Sequence, residues 1–291
     1  MCRWLAYSGS PISIEALLYT PVHSLIDQSL HSDLGAETTN GDGFGVGWYD
    51  DDTDEPGIFR SVEPAWNDVN LHEIARHTRS ATVLAHIRAS SGSPVQLTNC
   101  HPFRYGNWLF MHNGVIREFP RVKRDLVLEV DPALYPSIEG STDSETLFHL
   151  ALTYGLQEDP VGAMERAVGF VEYVGARQGV DRPIQMTVAT TDGTSIWTFR
   201  YSSEGDSRTL FFSTKVEALR RLYPDNALFE SAGDETRLIV SEPLSPLAGA
   251  WNQVPESTCA IIQPGDDELR QFTPRAPGTR AHNGHSAVAS A

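Results

Sequence analysis

The chain has 291 residues, a length that allows one large domain or two ordinary ones. Its 22 Lys and Arg residues against 38 Asp and Glu residues give a formal net charge of −16, which disfavours binding to phosphate backbones and to anionic membrane surfaces. Hydrophobic residues make up 40% of the chain, so a globular core is expected, with neither nucleic acid nor a membrane as a partner.

The sequence contains neither a membrane-spanning pattern nor a secretory signal. Its apolar runs fall short of the ~18 residues that a membrane span needs, and its first residues lack the basic and apolar regions of a signal peptide. Three cysteines (Cys2, Cys100 and Cys259) are too few and too scattered for a disulfide framework. We therefore expect a cytoplasmic protein with reduced thiols.

Strands are predicted where aliphatic and aromatic residues are dense between turn residues. In chain order the predicted strands are Arg3–Ser8, Gly45–Tyr49, Ile58–Ser61, Ala81–Arg88, Trp108–His112, Ile184–Thr191, Thr194–Tyr201, Thr209–Ser213, Arg237–Ser241, Thr258–Gln263 and Glu268–Thr273. Asp192-Gly193 separates two of them and predicts a hairpin with a two-residue type I′ turn, because Asp-Gly supplies the positive φ angles of that turn.

Helices are fewer and are grouped in the middle of the chain. Thr142-Asp143-Ser144-Glu145 is a capping-box pattern, in which the Thr hydroxyl and the Glu carboxylate each bond a backbone N–H at the helix start. A second helix is predicted from about Pro160, and shorter ones over Asn70–Arg79 and Lys215–Leu222. Runs of strands with grouped helices favour layered α+β packing over regular βαβ alternation. Because residues 273–291 are rich in small residues, Pro and His without periodicity, we expect one domain over residues 2–272 and a disordered tail.

Glycine occupies every second position from Gly41 to Gly47. The dinucleotide-binding pattern G-x-G-x-x-G is not met, because its third glycine would fall on Val46 or Trp48. We interpret these glycines as a strand that another backbone or a ligand passes closely.

Cys2 is the candidate nucleophile. Excision of Met1 would leave Cys2 with a free α-amino group, which titrates near neutral pH and can accept the proton of the adjacent thiol without a separate histidine base. Asn113-Gly114 offers a carboxamide and a backbone N–H side by side at a strand end, a pair of donors suited to an oxyanion. Each feature also has an ordinary interpretation: an unreactive cysteine and a simple Asn-Gly turn.

Six motifs follow one another along the chain: Met1-Cys2-Arg3, Asp42-Gly43-Phe44-Gly45-Val46-Gly47-Trp48, His86-Ile87-Arg88, Asn99-Cys100-His101-Pro102-Phe103, His112-Asn113-Gly114 and Ser141-Thr142-Asp143-Ser144-Glu145. In this order they resemble the class II glutamine amidotransferase domains, which are N-terminal-nucleophile (Ntn) hydrolases with a four-layer αββα sandwich. The resemblance covers roughly residues 2–265 and implies the same α+β fold.

The resemblance also implies roles for five residues. Cys2 would be the nucleophile, Asn113 and Gly114 the oxyanion hole, Arg88 the ligand of the substrate α-carboxylate and Asp143 the partner of its α-ammonium. A guanidinium fork suits a carboxylate, and an Asp carboxylate suits an amino group. No metal or organic cofactor is implied.

The sequence departs from the common family pattern in two places, and the second departure indicates one branch of the family. His86-Ile87-Arg88-Ala89-Ser90-Ser91 stands where the family commonly has His-Thr-Arg-Trp-Ala-Thr, which changes the wall beside the carboxylate. Asn40-Gly41-Asp42-Gly43-Phe44-Gly45 resembles the stand-alone branch that includes the ergothioneine-pathway γ-glutamyl amidohydrolase.

The predicted function is hydrolysis of the γ-glutamyl amide of glutamine or of a γ-glutamyl conjugate through a glutamyl-thioester on Cys2. Glutamate and ammonia or an amine are the expected products, and a small molecule is the expected partner. One alternative is a glutaminase subunit that donates ammonia to a separate synthase. Others are a non-catalytic sensor of glutamine-like metabolites and an N-acyl amide hydrolase of the bile-salt and penicillin type. Because little of the chain lies outside the Ntn-like region, we expect a simple hydrolase.

Overall fold

Two antiparallel β-sheets stacked face to face form the centre of this computed structural model, which describes residues 2–34, 39–50, 52–90, 92–225, 232–263 and 265–276. The first sheet contains β1 (Arg3–Ser13), β2 (Phe44–Trp48), β3 (Gly57–Ser61), β4 (Arg79–Ile87), β9 (Phe211–Ser213), β10 (Arg237–Val240) and β11 (Trp251–Gln253) in the order β11-β9-β10-β1-β4-β2-β3. The second contains β5 (Phe103–Tyr105), β6 (Trp108–Ile116), β7 (Ile184–Thr191), β8 (Ile196–Ser202), β12 (Thr258–Ile262) and β13 (Glu268–Gln271) in the order β13-β12-β8-β7-β6-β5.

Helices cover the outer face of each sheet. The helices are α1 (Ile14–Leu18), α2 (Leu25–Leu30) and α3 (Val69–His77) on the first sheet, α4 (Phe119–Glu129), α5 (Asp143–Thr153) and α6 (Pro160–Gln178) on the second, and α7 (Val216–Leu222) after β9. Within the described residues, no helix combines the length and the apolar character that crossing a membrane requires.

Buried apolar side chains fill the three spaces between these four layers. Trp4 and Leu84 of the first sheet meet Met111 and Ala260 of the second in the central space. A second cluster joins α1–α3 to the first sheet, and a third joins α4–α6 to the second. The predicted α+β, four-layer αββα sandwich is therefore confirmed.

The predicted strands are confirmed, with different bounds at several ends. The most consequential difference is in β6, which was predicted to end at His112 and continues to Ile116. Asn113 and Gly114 therefore lie inside a strand, paired with Thr187 and Met186 of β7, and not at a strand end. Tertiary pairing with the long neighbour β7 extends the strand beyond the residues with high strand propensity.

The hairpin between β7 and β8 is confirmed, but its predicted two-residue type I′ turn is wrong. Thr191 pairs with Ile196, so residues 192–195 form the loop. Only Gly193 of the Asp-Gly pair has a positive φ, of 96°. The Asp192 carboxylate instead accepts the backbone N–H groups of Thr194 and Ser195 at 2.9 Å each, a side-chain-capped turn.

Of the two bonds that the capping-box pattern predicts for α5, one is confirmed and the other is wrong. Thr142 Oγ1 accepts the backbone N–H of Glu145 at 3.1 Å as predicted. The Glu145 carboxylate, however, accepts the N–H groups of Glu139 and Gly140 at 2.9 and 2.7 Å. It therefore holds the loop before the helix rather than the helix cap itself.

The described chain continues past the predicted domain boundary at residue 272. The backbone N–H of Thr273 donates to Glu165 Oε1 at 3.2 Å, and that of Arg275 donates to the Glu165 carbonyl at 3.0 Å. The first residues of the predicted tail are thus bound to α6, while residues 277–291 lie outside the described residues.

The alternating glycines of β2 allow the close approach of another backbone. A Cβ on Gly45 would lie 2.1 Å from the His101 carbonyl oxygen, and one on Gly47 would lie 2.7 Å from Leu109 Cδ1. The two sheets can therefore come together at β2 only because these positions lack side chains.

Candidate active site

The Cys2 side chain lies beside the end of β4. Its Sγ accepts the backbone N–H of Ala89 at 3.3 Å and lies 3.4 Å from the Ala89 carbonyl oxygen. Cys2 is partly exposed, whereas Cys100 and Cys259 are buried. Burial raises the pKa of the Cys100 thiol and raises that of Cys259 to about 12. Of the three thiols, Cys2 is therefore the one that solvent and small reagents can reach.

Asn113 reaches Cys2 from the opposite sheet. Its Nδ2 donates to the Cys2 carbonyl oxygen at 2.8 Å. A carboxamide nitrogen carries two N–H groups, so Asn113 can offer the second to another acceptor. β5 pairs with β6 only as far as Phe110, which leaves this edge of β6 without a neighbouring described strand at Asn113 and Gly114. Donors on that edge can face a ligand.

Gly114 is required by the packing of β6 against β7. A Cβ at this position would lie 2.1 Å from the Gln185 carbonyl oxygen and 2.8 Å from Met186 Cα. These contacts are with backbone atoms, so a side chain would push the two strands apart. The close fit holds the Gly114 main chain in a fixed position next to Asn113.

Arg88 follows β4 and is 3% exposed. Its Nη1 donates to the Asp42 carbonyl at 3.2 Å, and its Nη2 donates to Ser93 Oγ at 2.7 Å and the Pro94 carbonyl at 3.0 Å. All of these acceptors are neutral, and no carboxylate of the described residues pairs with it. A buried cation without a charged partner is unfavourable. Arg88 is therefore suited to bind an anionic ligand.

Asp143 is the first residue of α5 and is partly buried. Its Oδ2 accepts the backbone N–H of Ile116 at 2.7 Å, and its Oδ1 accepts that of Ser144 at 2.9 Å. The carboxylate lies at the positive end of the helix dipole, where acidic side chains stabilise a helix. The bond to Ile116 places Asp143 at the end of β6, two residues beyond Gly114, in an orientation fixed by the backbone.

Three buried histidines lie close to these residues without offering a base. The rings of His86 and His101 lie 4.2 Å apart, and their nitrogens have no hydrogen-bond partner among the described residues. Burial lowers the pKa of His86 to about 3 and lowers those of His101 and His112 as well. They are neutral at physiological pH, and none of them bonds to the Cys2 thiol in the described structure.

The described residues include one group with the spacing of metal ligands, formed by His23, Asp33 and Glu242. The Glu242 carboxylate already pairs with Arg3 at 2.6 Å. Since the guanidinium would repel a cation at that carboxylate, these residues do not fit a metal.

Of the five predicted residues, Cys2 and Asn113 are joined by a direct hydrogen bond, and the other three lie next to them in the chain or are linked through intermediate residues. Cys2 contacts Asn113, and through Ala89 it adjoins Arg88, while Asp143 contacts the end of the strand that carries Gly114. Sequence reasoning missed Asp42, whose carboxylate accepts the Ser90 N–H at 2.7 Å and whose carbonyl bonds Arg88. Its place in the glycine-rich motif was the available signal.

Known proteins resemble the chain over most of its length. The family model described as "Glutamine amidotransferases class-II" matches residues 20–284. The probable glutamine amidotransferase DUG3 of Saccharomyces cerevisiae is 35% identical over 294 residues, which cover 90% of this chain and 82% of that protein. The gamma-glutamyl-hercynylcysteine sulfoxide hydrolase of Mycolicibacterium smegmatis is 32% identical over 177 residues, 58% of this chain and 69% of that protein.

Solved structures show the same fold. A glutamine aminotransferase class-II domain protein from Silicibacter pomeroyi superposes with a TM-score of 0.71 at 30% identity, covering 94% of this chain and 100% of that chain. The glutamine phosphoribosylpyrophosphate amidotransferase of B. subtilis shares the fold alone, with a TM-score of 0.63 at 14% identity over 94% of this chain and 50% of that chain. By sequence and by fold, the chain therefore belongs to the class II glutamine amidotransferases, a family of enzymes.

Proposed function

We propose that this protein is an N-terminal-cysteine amidohydrolase that cleaves the γ-glutamyl amide bond of a small γ-glutamyl conjugate, with water as the acceptor. The observation that carries the proposal is the position of Arg88, a buried guanidinium without a carboxylate partner among the described residues, next to Ala89, whose backbone touches the Cys2 thiol. A ligand carboxylate on Arg88 would bring an electrophilic carbon of the same molecule beside Cys2 Sγ.

The two ends of a γ-glutamyl group match the charges of the site. Arg88 would bind the α-carboxylate through parallel N–H donors, and Asp143 would bind the α-ammonium. Glutamine and γ-glutamyl conjugates share this amino-acid end and differ only in the amine beyond the amide. Recognition of this end therefore selects a class of substrates rather than a single one.

The reaction would proceed in two halves. With Met1 removed, the α-amino group of Cys2 takes the thiol proton, and Sγ attacks the amide carbon. Asn113 Nδ2 and the Gly114 N–H stabilise the oxyanion of the tetrahedral intermediate. The proton passes to the leaving nitrogen, the C–N bond breaks, and ammonia or an amine departs. Water then attacks the glutamyl-thioester, which releases glutamate and regenerates the thiol.

The names of two relatives support this reaction class, because one is a gamma-glutamyl-hercynylcysteine sulfoxide hydrolase and the other a probable glutamine amidotransferase. A thiol nucleophile must stay reduced, so we also place the protein in the cytoplasm.

Purified protein should be incubated alone with glutamine and with a panel of γ-glutamyl amides and peptides, and the released glutamate measured. We expect release without any partner, faster from a conjugate than from glutamine. If no compound releases glutamate until a co-purifying synthase is added, the hydrolase is contradicted and an ammonia-donating subunit is favoured. If no glutamate is released with or without the synthase, but the protein still binds glutamine, a sensor is favoured.

A further inference from the structure

Glu242, two residues after β10, has a buried carboxylate that contacts the start of β1. Its side chain is 2% exposed, and its oxygens lie 2.6 Å from Arg3 Nε and 2.6 Å from His23 Nε2. They also accept Ser32 Oγ at 3.0 Å and the backbone N–H groups of Asp33 and Leu34 at 2.8 and 3.2 Å. Burial opposes the charged form, but these bonds and the Arg3 charge lower the pKa of Glu242. It is a fixed anion that joins distant parts of the chain.

One arm of this network runs from Glu242 to the nucleophile. The guanidinium of Arg3 that pairs with Glu242 also donates from Nη1 to the Cys2 carbonyl oxygen at 3.0 Å. Asn113 donates to the same oxygen from the other sheet. The α-amino group is bonded to the Cys2 Cα, and the thiol is attached to the same Cα through Cβ. Two hydrogen bonds to the Cys2 carbonyl therefore fix the orientation of both reacting groups.

A second arm runs from Glu242 to the guanidinium of Arg88. Gln28 Nε2, in α2, donates to the main-chain carbonyls of Glu242 and His23 at 3.3 and 3.1 Å, and the His23 ring bonds the Glu242 carboxylate at 2.6 Å. The Gln28 carbonyl accepts Asn40 Nδ2 at 3.3 Å. Two residues after Asn40, the N–H of Asp42 donates to the Arg88 carbonyl at 3.1 Å. The Asp42 carbonyl accepts Arg88 Nη1 at 3.2 Å. The chain of contacts is continuous within the described residues.

We propose that Glu242 is a positioning residue shared by both halves of the active site. Through Arg3 it aims Cys2, and through α2 and Asn40 it places Asp42 against Arg88. The inference rests on the proposed function. Glu242 bonds neither the Cys2 thiol nor the Arg88 guanidinium itself, so it acts only through these intermediaries.

The two arms predict separate kinetic effects. Arg3→Lys keeps a cation beside Glu242 but loses the fork that also reaches the Cys2 carbonyl, so kcat should fall about 10- to 100-fold with KM little changed. Asn40→Ala cuts the other arm and should raise KM with kcat little changed. Glu242→Gln should change both. Alkylation of Cys2 by iodoacetamide should change in Arg3→Lys and Glu242→Gln but not in Asn40→Ala.

The control is a second buried ion pair at the far end of β10. Arg237 Nε lies 2.6 Å from Asp267 Oδ2, and the Arg237 side chain is 6% exposed. Arg237→Lys should therefore lower the melting temperature without altering kcat, KM or Cys2 alkylation. If Glu242→Gln does not fold, His23→Gln removes one bond to the same carboxylate at a more exposed position and should shift kcat and KM in the same directions.

The experiment measures kcat, KM, melting temperature and Cys2 alkylation rate for the wild type and these variants. The proposal is overturned if the Glu242 and His23 variants lose stability while all three kinetic quantities stay at wild-type values, or if Arg237→Lys reproduces their kinetic changes. A wild type that hydrolyses no γ-glutamyl compound would contradict the proposed function instead, and the alkylation rates would still test the positioning of Cys2.

Discussion

Asn113 and Cys2 are joined across the two sheets by a hydrogen bond of 2.8 Å from the Asn113 carboxamide nitrogen to the Cys2 carbonyl oxygen. Asn113 lies within β6, and Cys2 lies immediately before β1. The proposed oxyanion donor therefore also holds the main chain of the proposed nucleophile. Their relative position is set by the packing of the sandwich, so the donor lies beside the proposed nucleophile without substrate.

Asn113→Ala should remove both the bond to Cys2 and one donor to the oxyanion. The loss of one such donor lowers kcat by about 100- to 1,000-fold in comparable sites, and we expect at least that effect. Steady-state kinetics on the best γ-glutamyl substrate measure it. Asn107→Ala, an exposed asparagine near the other end of the same strand, is the control and should retain full activity. Unchanged kcat in Asn113→Ala would remove Asn113 from the reaction.

A glutamine-like electrophile should label Cys2 and leave Cys100 and Cys259 untouched in the folded protein. Both of the latter are buried, and burial raises the pKa of each thiol, which lowers the fraction present as reactive thiolate. Peptide mass spectrometry locates the label, and glutamine should protect against it. Labelling of Cys100 with loss of activity would indicate a different nucleophile.

Arg88→Lys keeps the charge but loses the planar fork. Binding of the α-carboxylate should weaken by about 1.5–3 kcal/mol, roughly 10- to 150-fold in KM. The comparison substrate is a glutamine analogue that lacks the α-carboxylate, on which wild type and Arg88→Lys should have similar KM values. A normal KM for glutamine in this variant would place the carboxylate elsewhere.

Asp143→Asn supplies the reciprocal test with the opposite analogue. The variant should bind glutamine weakly, because an amide replaces the anion that we propose pairs with the α-ammonium. For an analogue that lacks the α-amine, the affinity of Asp143→Asn should equal that of the wild type. If Asp143→Asn weakens both compounds equally, Asp143 serves only to hold the backbone of Ile116 and Ser144.

Stability should fall as the solution becomes acidic. Burial keeps His86 and His101 neutral in the folded chain, with the pKa of His86 at about 3, whereas unfolded histidines titrate near pH 6.5. Below about pH 6.5 the unfolded state therefore binds more protons, and each such histidine lowers the free energy of unfolding by about 1.4 kcal/mol per pH unit. The stabilisation is complete above this range and is lost progressively as the pH falls towards the folded pKa.

Urea unfolding at about pH 7 and about pH 5.5 measures this slope. His86→Gln should show a shallower pH dependence than the wild type, even though its stability at neutral pH is lower. His77→Gln, an exposed control, should keep the wild-type slope. An equal slope in His86→Gln would mean that His86 is protonated in the folded protein.

Most strands and the helices α5 and α6 were predictable because their signals are local. Dense aliphatic residues mark β7 and β8, and Thr142 and Pro160 mark the starts of α5 and α6. The helix α4 was missed, although it is as long as α5, because the residue before it, Glu118, makes no side-chain capping bond. The short helices α1 and α2 were missed, since segments of five and six residues depend on tertiary packing rather than on their own pattern. For the same reason the extension of β6 through Asn113 and Gly114 was missed, because it depends on pairing with β7.

The candidate site was predictable only where residue identity carries the chemistry. Cys2, Arg88 and Asn113 stand in recognisable motifs, and each could be named before any contact was known. The pairing of Arg3 with Glu242 spans 239 positions along the chain, and no sequence pattern around either residue predicts the other as its partner. Such a contact follows from the antiparallel pairing of β1 with β10, which no local segment encodes.

The most direct measurement of the central claim is intact-protein and peptide mass spectrometry of enzyme quenched in acid during turnover of a γ-glutamyl substrate. We predict that the active protein lacks Met1 and that a fraction carries one extra glutamyl residue on the peptide that begins with Cys2, as a thioester that hydroxylamine removes. Full activity in protein that retains Met1, or a glutamyl adduct on any residue other than Cys2, would contradict the account.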